Sequence, residues 1–260
     1  MGMLKQKWLL VFIFGLALFM IFLAMLSFIP AFFPVVVIIG ALLVPVTLVT
    51  YLGEFERGLD KEIHRAIPAR IIVWCFVTAG VLGVGGAAML EFATLKQLGI
   101  PQLFAVGLIE ESVKMVIPLV FYFMGRYRSE ADGLLFGITA GMGFAALETI
   151  GYGFNIDPGP QGGFGLLAQV LIARGLFSPA NHAAWTGMVC AILWRERIKA
   201  GHNVLNGPVI GIFVLAMVLH ASWDISSGLR NLTLVLLGYL VIAVISLGII
   251  IWRMRETRGT

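Results

Sequence analysis

The stretch QLFAVGLIEESVKMVIPLVFYFMGRYR, residues 102–128, decides how this chain must be read. It is almost wholly apolar as far as Gly125 and ends at Arg126 and Arg128. At 1.5 Å per residue it is long enough to cross the ~30 Å hydrocarbon layer of a bilayer as a helix. Yet it carries Glu110, Glu111 and Lys114. An ionisable side chain within a membrane span costs several kcal/mol unless it is paired or hydrated, so each is by default a functional residue. The lysine lies three and four residues from the carboxylates, on the same helix face, and reads as their charge partner rather than as a nucleophile.

Similar apolar runs extend on both sides, separated by Pro, Gly and charge clusters. They predict spans at about 8–28, 33–53, 70–90, 102–125, 133–153, 178–194, 207–227 and 232–252. The composition agrees: 60% hydrophobic residues, a mean hydropathy of +0.98 and 12% charged residues, where soluble proteins carry roughly a quarter. So few charges cannot clothe a water-soluble core. The fold class expected is an all-α polytopic membrane protein, a bundle of about eight transmembrane helices. Residues 1–260 read as one transmembrane domain with a catalytic core in 102–227. The first run, behind Lys5 and Lys7, is expected to be retained as a signal anchor because it has no clear small-residue cleavage site.

Fourteen Lys and Arg residues flank alternate connections (Lys5, Lys7, Arg57, Lys61, Arg65, Arg70, Arg126, Arg128, Arg195, Arg197, Lys199, Arg253, Arg255, Arg258), against Lys96 and Arg230 on the other side. This bias predicts that both termini face the cytoplasm. Net charge +4 then reflects cytoplasmic loops and anionic lipid headgroups, with membrane lipid as a partner and no nucleic acid. The apolar segment Gly162–Arg174 would invert every later loop if it crossed separately. It is therefore expected to be a short interfacial or re-entrant piece on the outer side. Cys75 and Cys190 read as small buried apolar side chains.

The remaining intramembrane ionisable residues are Glu148, His182, His220 and Asp224. Under this topology they and the Glu110–Lys114 group fall at one level in the outer half, Glu110 and Glu111 roughly 12 Å in. A single polar chamber is expected, in which adjacent carboxylates and histidines activate water. The competing structural reading is a buried ion-pair network holding helices together. Arg174 reads equally well as snorkelling to lipid phosphate or as touching the chamber. His64 and His202 read as solvated. The loop residues Asp157, Pro158 and Pro160 could gate entry, although an ordinary outer loop is the simpler reading. Gly137, Gly141, Gly153 and Ala145 give the fifth span a small-residue packing face.

Four spacings together, E-E-x-x-K at Glu110–Lys114, F-x-x-x-E at Phe144–Glu148, His182 following Arg174, and H-x-x-x-D at His220–Asp224, resemble the signatures of the PrsW family of intramembrane proteases. That family is related to the CAAX-prenyl endopeptidase and bacteriocin-processing group, whose typical E-E-x-x-x-R, F-x-x-x-H and H-x-x-x-N this chain departs from at Lys114, Glu148 and Asp224. The resemblance covers the fourth to seventh spans. It implies a multi-pass cell-membrane protein that hydrolyses a peptide bond in a single-span or membrane-associated substrate, an anti-sigma factor being one such class. The implied catalytic set is Glu110, Glu111, Glu148, His182, His220 and Asp224. Glu110 or Glu111 with His220 would polarise water, and Glu148, His182 or Asp224 would position it or stabilise the oxyanion. No cofactor is expected; the alternative is zinc held by His182, His220 and a carboxylate. The competing function is a proton- or ion-coupled transporter, since buried Glu, His and Lys also form relays. Against it, the polar residues form one cluster rather than a string across the membrane.

Overall fold

The computed structural model describes residues 6–59, 66–94, 101–156 and 163–259. Lys5, Lys61, His64, Arg65, Lys96, Asp157, Pro158 and Pro160 lie outside the described residues. Among the described residues the regular structure is helical, without strands: α1 (Lys7–Leu26), α2 (Phe33–Arg57), α3 (Ala69–Thr94), α4 (Pro101–Met124), α5 (Glu130–Phe154), α6 (Gly163–Phe177), α7 (Ala184–Ala200), α8 (Gly207–Ser227) and α9 (Leu232–Gly259). Seven helical units are long and apolar enough to cross a membrane, with residues 163–200 counted as one. The charged triplet keeps α4 off that count although its length, 24 residues, suffices. With α4 the crossing units number eight, as the apolar runs predict.

One expectation is corrected. Residues 163–177 are not a separate piece on the outer side; they continue into α7 through a single π-helical turn, Pro179–Ala183. Leu167 and Leu171 pack into one cluster with Val36, Val37 and Ala41 of α2, and Gly175 faces Val44. Thus α6 runs alongside α2 inside the bundle. The apparent break at Pro179 is a local repair. Proline has no N–H for the Gly175 carbonyl, and the Ser178 hydroxyl donates to it instead, at 3.1 Å. The Ala183 N–H then reaches back five residues to the Ser178 carbonyl, at 3.2 Å. The wider turn carries Asn181 and His182, in keeping with the frequency of π-bulges at functional sites.

The centre of the bundle is α5. Within its apolar window 83% of residues are buried, against 11% in α1 and 17% in α9, and it packs on α2, α3, α4 and α7. Its glycines make this possible. A Cβ at Gly137 would collide with the Thr186 carbonyl and Cys190 of α7, one at Gly141 with the His182 carbonyl, and one at Gly143 with the Phe76 carbonyl of α3. Small residues let helix backbones approach where lipid supplies no hydrophobic drive for association. Ser129 and Asp132 form a capping box, which starts α5 at Glu130, three residues before the predicted position.

Polar contacts gather both chain ends at one end of the bundle. The Lys7 backbone N–H donates to Glu54 Oε1 at 2.8 Å, and Arg253 Nε donates to Glu130 Oε1 at 2.6 Å. Tyr51 and Phe55 share a cleft with Met254 and Arg255.

Candidate functional site

Lys114 is fully buried in the middle of α4. Its Nζ donates to Glu110 Oε2 at 3.0 Å, Glu111 Oε1 at 2.8 Å and His182 Nδ1 at 2.9 Å. The Phe144 ring covers it, 4.2 Å from Nζ to the ring centre. The spacing of Phe144 and Glu148 now has a physical account. One turn of α5 places the phenyl ring over the ammonium and the carboxylate beside the His182 ring, whose Nε2 lies 3.2 Å from Glu148 Oε2.

Glu111 is 1% exposed and fully engaged. Besides Lys114 it meets His220 Nδ1 at 2.9 Å and the Thr186 hydroxyl at 3.4 Å. A carboxylate can only accept, so His220 carries a proton on Nδ1 toward Glu111, and its Nε2 faces Glu110 and Asp224. Those distances are 3.6 Å to Glu110 Oε2 and 3.6 Å to Asp224 Oδ2. The other histidine is placed differently. An ammonium has no lone pair, so Lys114 makes His182 Nδ1 an acceptor and leaves the proton on Nε2, pointing at Glu148. The two rings stand 5.9 Å apart and nearly perpendicular, at 87°. Trp185 packs on both, its indole N–H held by Ser246 at 3.0 Å.

Glu110, Glu148, Arg174, His182, His220 and Asp224 line a common cavity of about 460 Å³. Its lining does not include Glu111 or Lys114, which lie behind Glu110. The structure thus brings all six implied catalytic residues and their charge partner into one network, and divides them into a cavity-facing set and a buried support.

Arg174, left open between lipid and chamber, belongs to the chamber. It donates to Glu148 Oε2 at 2.5 Å and to Thr149 Oγ1 at 3.0 Å, and lies over the Tyr152 ring. Its position followed from the expectation about residues 162–174, and the continuous helix moves it inward. Two further residues were not singled out. Glu91, at the end of α3, lines the cavity with a buried Oε1 that has no hydrogen-bond partner among the described residues; it falls one residue past the predicted span, where an acid is unremarkable. Asn181 also lines the cavity and accepts the His182 N–H. Nothing in its residue type marks it. His202 is exposed, as expected, and Cys75 and Cys190 are free and buried.

The donors can be tested against zinc. Ligands at roughly 2.0–2.2 Å in a tetrahedron stand about 3.4 Å from one another. The pairs His220 Nε2–Glu110 and His220 Nε2–Asp224, each 3.6 Å, have nearly this separation, and Glu111 on Nδ1 is the carboxylate support that metal-bound histidines commonly have. Among the described residues no three such donors already form a closed shell. His182 does not fit as a ligand, because Lys114 occupies one ring nitrogen and Glu148 receives the proton of the other. His220 with Glu110 or Asp224 thus comes nearer to a metal spacing than the expected pair of histidines does, and among the described residues no group of three such side chains is arranged to hold a metal ion.

Comparison with known proteins adds an independent line. No curated protein and no solved structure matches the chain. A family model described as PrsW family intramembrane metalloprotease matches residues 67–250, from the start of α3 into α9. That is well over half of the chain and takes in every residue of the cavity, so the protein, a multi-pass peptide hydrolase of the membrane, belongs to the PrsW family of intramembrane metalloproteases.

Proposed function

We propose that Glu110 is the proton acceptor for the attacking water and that the cavity admits one unwound peptide bond of a single-span or membrane-associated protein, an anti-sigma factor being one such substrate. The observation that carries this reading is the division of the two adjacent glutamates: Glu110 faces the cavity and Glu111 does not. Glu111 fixes the His220 ring so that Nε2 and Glu110 converge on one volume. The His182 Nε2–H, opposite, is placed to transfer its hydrogen bond from Glu148 to the oxygen of the tetrahedral intermediate. Glu148 remains held by Arg174 throughout. The proton taken by Glu110 returns to the leaving amine, so acid and base roles close in one cycle.

The metal-free and metal-dependent schemes use the same cavity but give Glu110 different roles, proton acceptor in the first and ligand in the second, and the family's description as metalloproteases supports the second. His220, Glu110 and Asp224 would hold zinc, which when bound acidifies water and polarises the scissile carbonyl. The bias of the basic residues supports a cell-membrane protein with both termini in the cytoplasm.

The test is cleavage of a single-span substrate by purified protein, before and after chelation with 1,10-phenanthroline and after zinc is restored. Glu110→Gln is expected to lose ~10²–10⁴-fold in rate. Wild-type turnover after complete metal removal would leave the carboxylate scheme alone. Wild-type turnover by both Glu110→Gln and His220→Asn would overturn the assignment of this cavity.

A further inference from the structure

A second polar cavity lies at the opposite end of the bundle from the proteolytic chamber, and the proteolytic reading does not use it. It occupies about 510 Å³ between the α4–α5 and α7–α8 connections and is lined by Gly125, Arg128, Arg197, Ile198, Gly201, His202 and Asn203. No carboxylate is in that lining. Of its basic side chains Arg197 is buried, whereas Arg128 and His202 are exposed and tethered to backbone carbonyls. Arg197 is only 7% exposed; its two terminal nitrogens donate to the Tyr122 and Tyr127 carbonyls, and its guanidinium lies against the Tyr122 and Trp194 rings. Arg128 donates through Nε to the Gly125 carbonyl at 2.7 Å, which leaves its two terminal nitrogens for a bidentate acceptor. His202 is tethered through Nδ1 to the Ala200 carbonyl at 2.9 Å.

Two backbone features keep the space open. Gly125 and Gly201 have φ of +66° and +75°, a region that favours glycine, and a Cβ at Gly201 would meet open space. The cavity also borders apolar surface. Phe123 and Met124 on one side and Ile198 and Leu205 on the other are exposed at the end of the spans. Two arginines and a histidine with no carboxylate in the lining, bordered by greasy side chains at the basic end of a membrane bundle, suit an anionic headgroup with its acyl chains running down the outside of the protein.

We infer that this cavity is a binding site for the phosphodiester headgroup of an anionic phospholipid, with Arg128 as the bidentate ligand, Arg197 as the buried positive charge and His202 as a further donor. The bound lipid bridges the loops that end α4 and begin α8, the two helices that carry Glu110 and His220. The site is independent of the proteolytic assignment.

The test uses the full-length protein, delipidated in neutral detergent. Native mass spectrometry counts retained lipid and thermal unfolding reports stabilisation, with phosphatidylglycerol, phosphatidylcholine or inorganic phosphate added. One tightly held phosphatidylglycerol and a Tm rise of several degrees are expected, with no comparable rise from phosphatidylcholine or phosphate. Arg128→Gln and His202→Gln should each weaken retention about tenfold or more, whereas Arg255→Gln, on the same end of the bundle outside the cavity, should leave it unchanged. Equal stabilisation by inorganic phosphate would identify a free-anion site and overturn the lipid assignment. Equal loss in Arg255→Gln, or no loss in Arg128→Gln, would reduce the effect to general surface charge and also overturn it.

Discussion

Adjacent glutamates in one helix cannot share a direction, because successive residues are rotated by about 100° around a helix of 3.6 residues per turn. Lys114 bonds both carboxylates, yet only Glu110 faces the cavity while Glu111 is locked between Lys114, His220 and Thr186. The two isosteric variants should therefore differ. Glu110→Gln removes the proton acceptor. Glu111→Gln keeps a carbonyl oxygen that still accepts from His220 Nδ1, so the imidazole orientation survives in part. The expected order is a loss of ~10²–10⁴-fold for Glu110→Gln and a smaller one for Glu111→Gln, borne by kcat with KM little changed. Against this, Glu111→Gln should unfold more readily, since one acceptor of a buried ammonium has lost its charge. Steady-state cleavage kinetics and thermal unfolding of both variants check the order; a larger kcat loss for Glu111→Gln would make the buried carboxylate the base.

Helix packing sets the distances that this chemistry needs. α5 reaches the π-turn only because Gly141 has no side chain, and the turn presents His182 because Pro179 and Ser178 rearrange the local hydrogen bonds. A leucine at Gly141 would push the turn outward and carry His182 away from Lys114 and Glu148. Overpacking of this kind typically costs ~1–3 kcal/mol, and the Gly141→Leu variant should lose both stability and most of its proteolysis. Gly151→Ala, on the same helix where a Cβ meets open space, should be neutral or slightly more stable because alanine is the better helix former. Unfolding midpoints and cleavage rates measured side by side check this. Equal tolerance at both positions would show that the α5–turn contact does not position His182.

Across the whole molecule, the continuous helical run 163–200 determines how many times the chain changes side. With this run counted once, the ends of α1 and α9 and the connections after α4 and α7 lie together, as the contacts of Lys7 with Glu54 and Arg253 with Glu130 require of the termini. Reporter fusions after Arg128 and after Lys199 should therefore read the same compartment as the two chain ends, with the cytoplasm expected from the basic residues. An external reading at Lys199 with an internal one at Arg128 would mean that residues 163–177 and 184–200 cross separately and would overturn this topology. The burial gradient from α5 to α1 and α9 also places the site within the protein interior, where a hydrolytic chamber is shielded from lipid.

Much of the architecture was legible in the chain itself. Apolar length alone locates α8 at residues 207–227 and brings the other spans close to their observed limits, because lipid forces every backbone polar group into a helix and so makes length and composition nearly sufficient. Six ionisable residues that meet in one network were legible for the same reason, since a Glu, His or Asp inside such a run has few structural uses, whereas Glu91 and Asn181 were not. What composition could not reveal was direction. Whether Glu110 or Glu111 meets the cavity, which ring nitrogen of each histidine meets which partner, and whether Arg174 lies on lipid or on Glu148 all depend on contacts between residues far apart in sequence. Only the packed bundle decides those, through glycine-to-carbonyl approaches and one π-turn that periodicity reads as a helix break.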